Sequence, residues 1–315
     1  MRPSRPSVCG QPHCPYHDGD ARFSCHLAKL PSGRAAYTEC IPALPGFPTT
    51  SSACTLLRNR TVVFMGDSTS REHYNAFRCA LLQGVTDAPV RADIFNKSLR
   101  WKDHLLWLQY LQCHAFPGCG AVCMLPAGQL QGGSPDVRFQ LARLLEARLS
   151  SARSVLIVAN QGLWHVGSAG YGARTVRKLA VSADAAVGVW RALRERNDCL
   201  LWRETSPQAF NTPSGAYPGR VDKYQGWYGR GGCTPHTEVD SPWEPVHDIF
   251  EAAQIRVIRV WNESRVHHSA YISNRTEHAL KRGADCTHFC TPGVYDLWVQ
   301  LLLGAMIQYC PNAYM

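Results

Sequence analysis

The sequence predicts an α/β protein with a mostly parallel central sheet covered by helices on both faces. Three observations predict it. Short apolar runs of fully buried strand type recur at 61–65, 154–159 and 199–204. Segments of helical period stand between them, and strand–helix–strand order is the pattern of a parallel sheet. Each run ends in polar or small residues, on the side where such sheets bind ligands, so Ser68, Asn160 and Ser206 fall at strand ends.

Taken in order, residues 1–54 hold Cys9, Cys14, Cys25, Cys40 and Cys54 among eight prolines. So many breakers build no core, and the segment reads as a Cys-rich wrap stapled onto one catalytic domain, 55–315. A strand over 61–65 runs through Gly66-Asp67-Ser68 into a helix that continues to about Gln83, with Gly84 as its stop. A strand at 90–95 and a Trp-rich apolar run over 99–111 follow. The glycines and cysteines of 113–133 read as a loop, and 135–152 as an amphipathic helix. After the second buried strand come a helix at 182–196, the third strand, a Gly-, Pro- and Tyr-rich loop over 208–250, a strand at 254–261 and a last helix at 295–308.

The 315 residues carry 33 basic and 24 acidic side chains, a formal charge of +9, with no long run of like charge and no nucleic-acid motif. The 14 cysteines show no paired zinc knuckles, so disulfides explain them better. Sequons at Asn59, Asn96, Asn262 and Asn274 suit an oxidising secretory compartment. The opening Met1-Arg2-Pro3 has no signal-peptide character and no apolar run is long enough to span a membrane; either an export signal lies outside this sequence or the compartment is a different one. His13, His17 and His26 beside Cys14 and Cys25 fit no zinc-ligand spacing. Trp101, Trp107, Trp164, Trp227 and Trp243 could stack on sugar faces. Core packing explains Trp101 and Trp107, and Trp227, in a Gly- and Tyr-rich loop, is the better sugar platform.

A serine at a strand-to-helix turn sits where unpaired amides and the helix dipole favour developing negative charge. Asp and Ser are equally ordinary helix caps, so Gly66-Asp67-Ser68 alone does not distinguish nucleophile from cap. Asp285 and His288, three residues apart, offer an acid that orients a base within one turn, and that base could take a proton from a serine. Gly66-Asp67-Ser68, Asn160-Gln161-Gly162 and the run from Asp285 to Trp298 together resemble the trichome-birefringence-like proteins, members of the PC-esterase group of the SGNH/GDSL hydrolases. Thr205-Ser206-Pro207 and Gly231-Gly232-Cys233 match in order as well.

That resemblance implies a three-layer SGNH-type α/β/α fold and a Golgi-lumenal O-acetyltransferase acting on cell-wall polysaccharide. Ser68 would be the nucleophile, His288 the general base and Asp285 its orienting partner. The Ser68 amide and Asn160 would hold the oxyanion, Arg71 would assist, and Gly66, Asp67 and Gly162 would complete the oxyanion and substrate blocks. Each oxyanion donor would contribute on the order of 3 kcal/mol. No bound cofactor and no metal are implied; an acetyl donor such as acetyl-CoA or another acetyl carrier would be co-substrate, and a glycan the acceptor. A membrane anchor or transporter-type donor partner would lie outside this chain. The resemblance also suggests bonds from Cys286 and Cys290 to Cys233 and Cys25, from Cys14 to Cys79, and from Cys9 to Cys40. Leu163 departs from the family's usual His, and the superfamily's second-block glycine has no clear counterpart. A carbohydrate acetyl esterase with the same triad is the nearest alternative, and a non-catalytic glycan-binding module the next.

Overall fold

The computed structural model describes residues 44, 46, 52–58, 60–83, 99–100, 112–126, 154–162, 172–193, 199–208, 240–267, 271–272, 285–289 and 293–310. Expectations for 90–95, 135–152 and most of 1–54 lie outside them. Where the N-terminal segment is described, the Leu44 amide donates to Gln300 Oε1 at 2.8 Å.

Helix α1 (Ala53–Leu57) leads into β1 (Arg60–Gly66), and α2 (Ser68–Gln83) follows the Asp67 turn, ending where the helical period ends. Then come β2 (Leu99–Arg100), β3 (Gln112–Phe116), β4 (Gly120–Pro126), β5 (Ser154–Ala159), α3 (Ala173–Leu193) and β6 (Cys199–Arg203). Helix α4 (Glu244–Ala252), β7 (Arg256–Ile258), α5 (Trp261–Arg265), β8 (Tyr271–Ile272), β9 (Asp285–Phe289) and α6 (Val294–Tyr309) complete the described elements.

The main sheet has the order β2-β3-β4-β1-β5-β6-β7. It is parallel from β4 through β1, β5 and β6 to β7, with β2 and β3 antiparallel at one edge. Strand β1 is buried along its whole length and alternates between two cores. Val62 and Phe64 pack with α1, α2 and α6 on one face; Val63 and Met65 pack with α3 and α4 on the other. This is the three-layer α/β/α arrangement expected of apolar strands hydrophobic on both faces. From β1 the chain builds β4 on one side and β5 on the other, so the strand order reverses at β1, and the helices that follow β1 and β5 lie on opposite faces. A crevice at the carboxyl ends of β1 and β5 is where an open α/β sheet places its ligand.

Five sequence expectations change. The first part of 113–133 is a hairpin rather than a loop: Cys113 and Cys123 are directly opposed and disulfide-bonded, and Val122 and Met124 enter the core beside β1. Gly118, a breaker by sequence, serves there in the tight turn at 117–119, at φ +75°. Helix α3 begins at Ala173 rather than 182, because Val176, Leu179, Ala183 and Val187 form one stripe against the sheet while Arg174, Arg177 and Lys178 stay outside it. The segment read as a loop to 250 ends in α4, whose Pro245 falls in the first turn, where proline is tolerated; Phe250 stacks on Trp202 with centroids 4.3 Å apart. The strand expected over 254–261 is confined to β7, because α5 begins at Trp261. Trp243 is core, 1% exposed, and not a sugar platform.

Two further disulfides brace the frame, Cys54–Cys119 and Cys199–Cys310. Cys79 is also disulfide-bonded, with a partner outside the described residues. Disulfides of this number fit folding in an oxidising compartment. Among the described residues no helix is long and apolar enough to cross a membrane, and no group of three or more His, Cys, Asp or Glu could hold a metal ion.

Candidate active site

Asp67 fills its local role first. Its Oδ1 accepts hydrogen bonds from the Thr69 amide (2.9 Å), the Thr69 hydroxyl (2.6 Å) and the Ser70 amide (3.3 Å). The cap reading is therefore right for Asp67, whose buried carboxylate accepts and cannot donate to an oxyanion. The cap engages the second and third amides of α2 and leaves the first. Ser68, half-buried at that first position, makes no side-chain hydrogen bond among the described residues. An open amide and an open hydroxyl thus share one residue, at the positive end of a 16-residue helix.

Gly66 makes the turn possible. A Cβ there would collide with Ser70 Oγ and the Asn160 carbonyl, and its φ of +156° favours glycine as well. The Asn160 amide donates to Met65 O at 2.9 Å, which holds the ends of β1 and β5 together. Asn160 is 1% exposed, and its Nδ2 donates to Arg203 O at 2.8 Å and to Thr205 Oγ1 at 3.2 Å. With both hydrogens engaged the side chain is a strut between β5 and β6, and donation to an oxyanion requires it to release the longer bond. Gly162 is part of the same joint, because a Cβ there would overlap the Thr205 side chain. Arg71 is exposed on the first turn of α2.

The opposite end of the sequence arrives through β9. Adjacent residues Tyr271 and Ile272 pair with Phe289 and Asp285, so Cys286, Thr287 and His288 bulge out of the pairing. His288 is buried at 3% exposure, and the Asp285 side chain lies outside the described residues. Thr287 Oγ1 accepts from Gln208 Nε2 at 2.9 Å, which docks β9 beside the chain leaving β6. Phe289 packs edge-on against Tyr295 and Trp298 of α6, at 5.7 and 5.8 Å, and its amide donates to the Tyr295 hydroxyl at 3.3 Å. Asp296 Oδ2 accepts from the Gly293 amide at 2.6 Å, fixing the start of α6. Trp227 and Cys9, Cys14, Cys25, Cys40, Cys233 and Cys290 lie outside the described residues, as does the Cys286 side chain.

The residue that sequence reasoning missed is Arg203. It is 1% exposed, and its Nη2 donates to Thr69 Oγ1 (2.8 Å) and Ser70 Oγ (3.2 Å), the two hydroxyls directly after Ser68. Its guanidinium lies 4.5 Å from the Trp298 ring centroid. Burial lowers its pKa to about 10, against the favourable charge of Asp67. His73, wholly buried between the rings of Phe64 and Trp298, is held well below the usual histidine range by burial and then by the Arg203 charge. Glu204 faces the other way: its Oε2 accepts from the Val260 and Trp261 amides at 2.8 and 2.7 Å and so caps α5, while burial raises its pKa. The only local signal was an arginine and a glutamate ending a buried strand.

Residues 248–305, which include His288 but not Ser68, match the model of the PC-Esterase family, described as a GDSL/SGNH-like acyl-esterase family found in Pmr5 and Cas1p. Among solved structures, an acylhydrolase assignment from Bacteroides fragilis is similar at 14% identity and a TM-score of 0.35, covering 83% of this chain and 95% of that one. The acetyl xylan esterase AlAXEase is similar at 14% identity and a TM-score of 0.30, covering 81% of this chain and all of the other. At those TM-scores the likeness says nothing of which ester this chain handles.

Proposed function

We propose that the chain is a serine-dependent O-acetyltransferase that moves acetyl groups onto hydroxyls of a polysaccharide, in the manner of the trichome-birefringence-like proteins and in the Golgi lumen. The observation that carries the reading is Ser68, with amide and hydroxyl both open, at the start of α2 and at the switch point of the sheet. The acyl-esterase family match around His288 supports it. In the first half-reaction Ser68 Oγ attacks the acetyl carbonyl as His288 takes its proton, with Asp285 orienting the imidazole; His288 returns that proton to the leaving donor. In the second, an acceptor hydroxyl attacks the acetyl-serine, His288 takes its proton, and Ser68 leaves with that proton restored. The Ser68 amide holds the oxyanion in both steps.

Hydrolysis follows if water replaces the acceptor, which is the esterase reading. Incubation with an acetyl donor and a panel of oligosaccharides, read by mass spectrometry, separates the two. Acetylated oligosaccharide indicates transfer, and free acetate alone indicates an esterase. Ser68→Ala and His288→Ala are each expected to lower turnover by at least about 10³-fold. Equal product from variant and native protein would remove the triad.

A further inference from the structure

We infer that Arg203 is a positioning residue for the Ser68 turn, setting the nucleophile against the β9 segment that carries His288. The inference rests on Ser68 being the nucleophile. A buried guanidinium is costly, and for stability alone an apolar side chain would often serve as well. Here the charge is spent on two contacts that converge on the site. From the end of β6, Nη2 reaches across the sheet to Thr69 Oγ1 and Ser70 Oγ. The Thr69 hydroxyl donates onward to Asp67 Oδ1, so a directed chain runs from Arg203 through Thr69 to the cap on either side of Ser68. The face of the same guanidinium rests on Trp298, which is fixed by its own Nε1 donating to Ser264 Oγ at 2.9 Å. Trp298 meets Phe289, the residue after His288, in a T-shaped contact at 5.8 Å. One cation therefore touches the turn that carries the nucleophile and the ring that supports the base segment. Its role is indirect, because its contacts stop at Thr69 and Ser70 beside the nucleophile and at Trp298, which reaches the base segment only through Phe289.

The test is steady-state hydrolysis of an aryl acetate by the full chain carrying Arg203→Met or Arg203→Lys, with the rate of Ser68 labelling by a fluorophosphonate alongside. A misplaced nucleophile predicts a kcat lower by about 100-fold in Arg203→Met, KM within about 3-fold of native, a matching drop in labelling rate, and an intermediate kcat in Arg203→Lys. A folded Arg203→Met variant with native kcat, or one impaired in KM alone, overturns the inference. Should that variant fail to fold, Thr69→Val with Ser70→Ala removes both acceptors and leaves Arg203 on Trp298. It is expected to lower kcat by about 10-fold, and native kcat there overturns the inference equally. Ser68→Ala separates the two levels. If it keeps native activity, the nucleophile reading itself fails; if it is inactive while the Arg203 variants are native-like, only the role of Arg203 falls.

Discussion

The ends of β1 and β6 are both buried and polar, yet they satisfy their polar groups in opposite ways. After β1, Asp67 finds partners two and three residues on, so the turn is nearly self-sufficient, and Ser68 is the residue it leaves open. After β6, one bond is local, Arg203 Nη1 to Glu204 O at 3.2 Å, and the others are far away: Arg203 bonds residues 134 and 133 positions back, and Glu204 bonds amides 56 and 57 positions on. A local turn presents the reactive group, and long-range contacts from a rigid strand end hold that turn in place. This division is what precise positioning requires, since a turn alone frays more readily than a buried strand.

The largest expected effect breaks the local half. Asp67→Ala removes the cap and a carboxylate whose charge favours the buried Arg203 cation, for a loss of about 3 kcal/mol in urea unfolding. Asp67→Asn keeps an acceptor for the cap and removes only the charge, and should lose about half as much; equal losses would mean that the charge contributes all of it. The second effect opens the joint between β5 and β6. Gly162→Ala forces a methyl into Thr205, with a cost of about 1–3 kcal/mol read as a lower Tm and a weakened Asn160 strut. The smallest effect sharpens the electrostatics. His73 stays neutral in the fold while its unfolded counterpart takes up a proton below pH 6.5, so stability falls as pH drops beneath that value. The slope should be on the order of 1 kcal/mol per pH unit, and His73→Phe should flatten it by that amount. An unchanged slope in denaturation series at pH 6.5, 5.5 and 5 would show that His73 does not carry it.

Much of the frame was legible because its signals are local. The buried strands at 61–65, 154–159 and 199–203, the helix ending at Gln83 and the last helix all follow from apolar period and from cap or stop residues. The hairpin at 112–126 was not, because its glycines carry a breaker signal and its place beside β1 is a matter of tertiary pairing. Helix α4 was hidden by Pro242 and Pro245, which break a helix interior but suit its start.

By itself the sequence determined that a serine would stand at a strand-to-helix turn behind an acidic cap residue, since a turn and its cap are properties of a few neighbouring residues; the single turn expected to join Asp285 and His288 is instead strand β9. Only the tertiary structure decided that Asn160 is held as a strut and that Arg203 links the Ser68 turn to the ring beside β9. Those outcomes depend on which strand ends become neighbours in the sheet. That adjacency joins residues from 43 positions apart (Asn160 and Arg203) to 134 (Thr69 and Arg203) and leaves no periodic trace in the chain.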